Sequence, residues 1–181
     1  MGEPTIKAVL QYRASPGFRR RIEEQRPDWL EVVVVDETDT QGFGEAMANA
    51  DVLLHVLAPV TAGVIRAAPQ LKLIQKMGVG VNTIDLDAAR AHGVGVANMP
   101  GTNTTAVAEL TLALMLACLR RVVSIDAETR AGRGWSLDLG LVDTFGEIAG
   151  RTVGLVGFGA VGQRLARILR ALDAEVLLSL I

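Results

Sequence analysis

The stretch that most constrains this chain is TVGLVGFGAVGQRLARIL, from Thr152 to Leu169. A short apolar run, Val153 to Val156, is followed by Gly157, Gly159 and Gly162 in G-x-G-x-x-G spacing, and a helical pattern begins at once. Strand, tight turn and helix in that order have a mechanical reading. Gly157 permits the turn, Gly159 lets the backbone approach a pyrophosphate, and Gly162 allows the helix to pack close to the strand. Phosphates would then meet the helix N-terminus, where unpaired N–H groups and the dipole attract negative charge. A glycine turn with a purely structural role is the alternative at this point. An acidic residue that holds the ribose hydroxyls is expected about 20 positions on, at the end of the next strand. That strand reads EVLLSLI, Glu175 to Ile181, and has Ser179, Leu180 and Ile181 there; Asp173 and Glu175 lie at its other end.

Half of the 181 residues are hydrophobic (50%), 21% are charged, and the formal net charge is −2, the composition of a folded chain rather than a disordered one. With 18 basic and 20 acidic residues there is no overall field to attract nucleic acid or an anionic membrane, so neither is an expected partner. Cys118 is the only cysteine, which excludes an intrachain disulfide or a multi-thiolate metal site. Its apolar neighbours make it a buried hydrophobe by expectation. The N-terminus MGEPTIKAVLQY has no basic region followed by an apolar core, so no signal peptide is expected and the chain reads as cytoplasmic. The longest uncharged apolar stretch, Leu110 to Leu119, is too short to span a bilayer.

Along the chain, strand patterns at Lys7–Tyr12, Glu31–Val35, Asp51–Leu57, Leu71–Lys76 and Val94–Asn98 alternate with helical ones. The helices are expected at Phe18–Arg26, around Glu45–Asn49, from Thr61 to Ala67, and after the N-cap Asp85 as far as Gly93. The run Val32 to Val35 lacks alternation, as in a strand covered on both faces. This order predicts an open α/β sheet with crossover connections. NMPGTNTT, Asn98 to Thr105, reads as a hinge and as the cap of one long helix, about Thr104 to Arg130. It is apolar nearly all round as far as Ile125, so burial on all sides is expected, between domains or against a second copy. Glu109, early in that helix, reads as a response to the helix dipole.

Four segments in linked order carry a resemblance: the first sixty residues, LKLIQKMGVGVNTIDLDAARAHGVGVANMPGTNTTAVAEL (Leu71 to Leu110), the Trp135 region, and GEIAGRTVGLVGFGAVG (Gly146 to Gly162). In these the chain resembles the D-isomer-specific 2-hydroxyacid dehydrogenases, a family that includes 3-phosphoglycerate dehydrogenase and glyoxylate reductase. The resemblance implies a flavodoxin-like substrate domain over residues 1–100. Residues 101–181 would be the start of a Rossmann-type NAD-binding domain. It places the carboxylate of a small 2-hydroxy or 2-oxo acid on the N–H groups of Val79 and Gly80, where successive amides form an anion nest. It puts Val79 and Val107 beside the nicotinamide, and Ala160 and Val161 with the three glycines under the pyrophosphate. It implies NAD, with NADP as the alternative, and a homodimer through residues 104–130.

Hydride transfer also needs a group to take the hydroxyl proton and a cation to polarise the carbonyl. The family supplies these with a His, a Glu and an Arg from the later part of the nucleotide domain, and their counterparts are not found in these 181 positions. The expectation is therefore a C-terminally truncated member with no catalytic residue of its own and no activity alone. His55 reads as a core or rim histidine and His92 as a helix C-terminal cation. A non-enzymatic dinucleotide-binding or dimerising remnant is the second reading. Another Rossmann enzyme, such as adenosylhomocysteine hydrolase or alanine dehydrogenase, is the third; these share the glycine turn but not the MGVGVNTID and PGTNTTAVAE segments.

Overall fold

A computed structural model describes residues 6–136 and 139–179; Met1–Thr5, Leu137, Asp138, Leu180 and Ile181 lie outside it. The chain forms two compact units that divide between Pro100 and Gly101.

The first unit runs β1 (Ile6–Gln11), α1 (Pro16–Gln25), β2 (Leu30–Val35), α2 (Thr40–Met47), β3 (Val52–His55), α3 (Ala62–Arg66), β4 (Leu73–Lys76), α4 (Leu86–Ala91) and β5 (Gly95–Ala97). The five strands are parallel in the order β2-β1-β3-β4-β5. That is the flavodoxin-like arrangement, in which the order reverses between β1 and β3. One row of apolar side chains, Val33, Val9, Leu53, Ile74 and Val96, crosses the whole sheet in register. Val9, Leu53 and Ile74 are fully buried there against Met47 of α2 and Ile65 of α3. Polar caps start the helices: the Oγ of Ser15 accepts from the Phe18 N–H, Thr61 Oγ1 from Val64, and Asp85 Oδ1 from Ala88.

Helix α2 begins at Thr40, five residues before the expected start. Its two glycines weaken the helical pattern, but Gly42 is required there. A Cβ at that position would run into the Asp39 carboxylate that caps the helix through the Gly42 N–H at 2.8 Å.

The second unit contains α5 (Thr104–Leu119), α6 (Val122–Arg130), α7 (Leu139–Val142), β6 (Thr152–Val156), α8 (Ala160–Ala171) and β7 (Glu175–Ser179). β6 and β7 pair in parallel from Thr152↔Glu175 to Val156↔Ser179. Ile148, Leu165, Leu169 and Ala174 form a buried cluster in it, with Leu112, Met115 and Leu119 of α5 packed on them.

The single helix expected over 104–130 is broken. Arg121 takes a left-handed conformation (φ 52°) between α5 and α6, and contacts from much later in the chain hold it there. Its Nε donates to Thr144 Oγ1 at 3.1 Å, the Gly146 N–H donates to the Leu119 carbonyl at 2.9 Å, and Arg120 lies over the Phe145 ring. Burial on all sides does not hold either. Ala108 is the only fully buried residue of α5, while Leu110 and Leu114 are 60% and 57% exposed. Cys118, expected inside, is exposed. Glu109 is beyond the first turn of α5, where the dipole's influence has decayed. Among the described residues no helix is long and apolar enough to cross a membrane.

Candidate functional site

Two turns carry the residues of interest, one in each unit. The first follows β4. Its entry is fixed by the Met77 N–H, which donates to the His55 carbonyl at 2.8 Å. The carbonyls of Gly78 and Val79 both face the segment after β5, accepting from the Met99 N–H and from Asn98 Nδ2, each at 2.8 Å. The amides of Val79 and Gly80 are successive free donors in this turn. No acceptor among the described residues takes either one, and both residues are exposed. A Cβ on Gly80 would crowd Asn82 Oδ1 at 3.1 Å, so a small residue keeps the turn tight. The exit is tied by the bridge between Val60 and Ile84 and by the Asp85 cap of α4.

Behind this turn sit two buried polar side chains in register, His55 on β3 and Lys76 on β4, 3% and 9% exposed. Lys76 Nζ donates to the Val56 carbonyl. His55 donates from Nε2 to the Ala58 carbonyl at 2.7 Å, while its Nδ1 is buried without a hydrogen-bond partner. The sequence reading of His55 as a core histidine is thus half satisfied. Burial holds its pKa below the ordinary value, opposed by the Ala58 bond and reinforced by the charge on Lys76. The folded state therefore binds its proton less readily than the unfolded one, and stability falls as pH drops below about 6.5. We expect thermal unfolding of the chain to show this acid-side loss, and His55→Gln to flatten it. An unchanged pH profile in that variant would assign the loss to other groups. His92 is exposed and donates from Nδ1 to the Ala88 carbonyl at 2.8 Å, capping the end of α4.

The second turn joins β6 to α8. Gly157 has φ +88°, a conformation that side-chain-bearing residues rarely adopt, and its N–H donates to the Ser179 carbonyl at 2.9 Å. A Cβ on Gly162 would lie 2.7 Å from the Gly157 carbonyl oxygen, so the helix approaches the turn as closely as a bare backbone allows. Gly159 is different: a Cβ there would meet nothing within 4 Å. Nothing among the described residues demands a glycine at that position. Gly159 is the N-cap of α8, which has no side-chain cap and no acidic residue in its first turn, leaving N-terminal donors and the positive end of the dipole unanswered.

Ala160 and Val161 open α8 beside these glycines. Val107 lies in the second unit on α5, partly exposed, with its carbonyl accepting from Thr111 Oγ1. Val79 and Gly80 belong to the first unit. The position of the ribose-binding acid falls on Leu180 and Ile181, outside the described residues; Ser179, just before them, answers Gly157 through its backbone. What the sequence reading missed is the group of side chains at the ends of β1 and β3, where Tyr12, Arg13, Arg21 and Val56 line one cavity, since it reads Phe18–Arg26 only as a charged helix. The parallel order of strands, which brings these ends together, was the available signal.

A family model described as "D-isomer specific 2-hydroxyacid dehydrogenase, catalytic domain" matches residues 9–176. The D-3-phosphoglycerate dehydrogenase of Mycobacterium leprae is 40% identical over 153 residues, covering 83% of this chain and 28% of that protein. The crystal structure of the TT0316 protein from Thermus thermophilus superposes with a TM-score of 0.82 at 32% identity, over 97% of this chain and 56% of that one. An NAD-dependent formate dehydrogenase from Staphylococcus aureus, solved in complex with NAD, gives a TM-score of 0.77 at 25% identity, with coverages of 97% and 56%. The chain thus spans just over half the length of these solved relatives and 28% of the curated one.

Proposed function

This chain belongs to the D-isomer specific 2-hydroxyacid dehydrogenase family, and from that premise we propose that it binds NAD at the β6–α8 turn and the carboxylate of a small 2-hydroxy or 2-oxo acid at the β4–α4 turn. The observation that carries the reading is the contrast between two glycines. Gly162 is required by its contact with Gly157, while nothing among the described residues requires Gly159. An unfilled Cβ position in front of uncapped helix donors fits a pyrophosphate.

In this reading Gly157, Gly159, Ala160, Val161 and Gly162 hold the dinucleotide, and Val79 and Val107 offer small apolar surfaces to the nicotinamide. Bound NAD supplies the nicotinamide ring as hydride acceptor or donor. The amides of Val79 and Gly80 fix the acid by its carboxylate, which orients the carbon bearing the hydroxyl. NADP is the alternative cofactor, since the selecting position falls at Leu180 and its neighbours. Residues 1–100 serve as the substrate domain and residues 101–181 as part of the nucleotide domain, in a cytoplasmic protein. The exposed Leu110, Leu114 and Val123 support a homodimer through residues 104–130.

Taken alone, these 181 residues do not transfer hydride. His55 is 3% exposed, which shields its unpaired Nδ1 from a bound acid, and His92 caps the end of α4 rather than belonging to either turn. The purified chain is expected to bind NADH saturably by fluorescence and to run as a dimer in light scattering. It should form no NADH from NAD and D-lactate or D-3-phosphoglycerate. Steady NADH formation would overturn the inactivity, absent binding would overturn the cofactor site, and monomer alone at micromolar concentration would overturn the dimer. NADH binding with no affinity for any hydroxy acid would favour a dinucleotide-binding remnant instead.

A further inference from the structure

A cavity of about 420 Å3 opens at the carboxyl ends of β1, β3 and β4. It lies where the strand order reverses, the position at which open α/β sheets hold their ligands. Leu10 and Val56 give it an apolar lining, Tyr12, Phe18 and Arg21 line it from the β1–α1 side, and Met77 closes it toward the glycine turn. Met77 is two residues from Val79, so the two positions are at most about 7 Å apart along the backbone. A three- to five-carbon acid held at Val79 and Gly80 can reach the cavity with its far end.

We infer that this cavity receives the side chain of the hydroxy acid, and that Arg21 selects a side chain ending in a second anionic group, a carboxylate or a phosphate. The inference rests on the reading of Val79 and Gly80 as the carboxylate anchor. Four features support it. Leu10 and Val56 match a carbon chain rather than a second polar group near the anchor. The Tyr12 and Phe18 rings brace each other edge to face, 6.0 Å apart at 75°, giving the pocket a firm wall. Arg21 lies with its guanidinium carbon 5.8 Å from the Phe18 ring centroid, a cation–π contact that holds the charge at the cavity wall, and its planar fork can give two parallel hydrogen bonds to an anion. Charge points the same way. Arg13 is already paired with Asp36 at 3.5 Å, whereas Arg21 has no carboxylate partner among the described residues, and the first turn of α1 contains no acid.

The test uses the 181-residue chain, 15N-labelled, in the presence of NADH, titrated with D-lactate and with D-2-hydroxyglutarate, while amide and arginine Nε–H resonances are followed. Both acids should shift Val79 and Gly80. D-2-hydroxyglutarate should also shift Arg21 Nε–H and bind about tenfold more tightly, the gain of one charge-assisted pair. Arg21→Gln should shrink that gap to about twofold, Arg21→Lys should leave it intermediate, and the neighbouring Arg20→Gln should preserve it. D-3-phosphoglycerate, run in parallel, distinguishes a phosphate from a carboxylate as the preferred second anion. Equal affinity for D-lactate and D-2-hydroxyglutarate, with Val79 and Gly80 shifting in both, overturns the pocket and leaves the anchor standing. A response at Arg21 without any at Val79 and Gly80 overturns the anchor and, with it, the cavity as a substrate side-chain pocket. No response to any of the acids overturns both.

Discussion

Replacing Gly162 with alanine is expected to cost the chain both its affinity for NADH and part of the stability of its second unit. The added Cβ would sit 2.7 Å from the carbonyl oxygen of Gly157. The group it meets is backbone, so no flexible side chain can move aside. Either α8 retreats from the turn or Gly157 rotates, and Gly157 is already confined to φ +88°. Overpacking of this kind costs about 1–3 kcal/mol. It also displaces the first-turn amides of α8 that the proposed pyrophosphate requires, and a fall of at least about tenfold in NADH affinity follows from losing one or two such bonds.

Gly159→Ala separates the two effects. Its methyl would touch nothing within 4 Å, so the melting temperature should hold, while the same methyl occupies the space in front of α8 and weakens NADH binding. A thermal melt and a fluorescence titration of both variants decide the matter. Unchanged affinity in Gly159→Ala would leave the glycine turn with a structural role only.

Leu169→Ala should have the largest effect on stability, and a selective one. Leu169 is fully buried at the centre of the second unit's apolar cluster, with Ile148, Leu165 and Ala174. Its carbonyl also accepts from the N–H groups of Leu172 and Ala174 as the chain turns from α8 into β7. Leucine-to-alanine changes in well-packed cores cost about 2–5 kcal/mol. Whole domains hold about 5–15 kcal/mol, and a core this small leaves its unit near the bottom of that range. Hydrogen exchange should therefore lose protection across β6, α8 and β7 while the amides of Val9, Leu53 and Ile74 keep theirs. A uniform loss over both units, or one below about 1 kcal/mol, would mean that this core does not support its unit by itself.

The strands and turns were largely legible because their signals are local. Val32 to Val35 without alternation, the Asp85 and Thr61 caps, and the glycine spacing after Val156 each specify geometry within a few residues. Boundaries followed less closely. The two glycines of α2 obscured its first turn, since the requirement for Gly42 comes from the Asp39 carboxylate rather than from helix propensity. The apolar circumference of α5 argued for burial, yet among the described residues only one side of it is covered, by the small core that α8 provides.

The sequence by itself determined an alternating α/β chain with two glycine turns, one after β4 and one after β6, because periodicity and capping act between near neighbours. It also carried the family resemblance, in segments whose order and spacing survive in a one-dimensional string. Only the tertiary structure decided the strand order β2-β1-β3-β4-β5, the break at Arg121, the exposure of Cys118 and the cavity that joins Arg21 to Met77. Each of these depends on contacts between residues distant along the chain, as when Thr144 holds Arg121 from 23 positions away. Such contacts leave no local pattern: packing selects them only after the elements have formed.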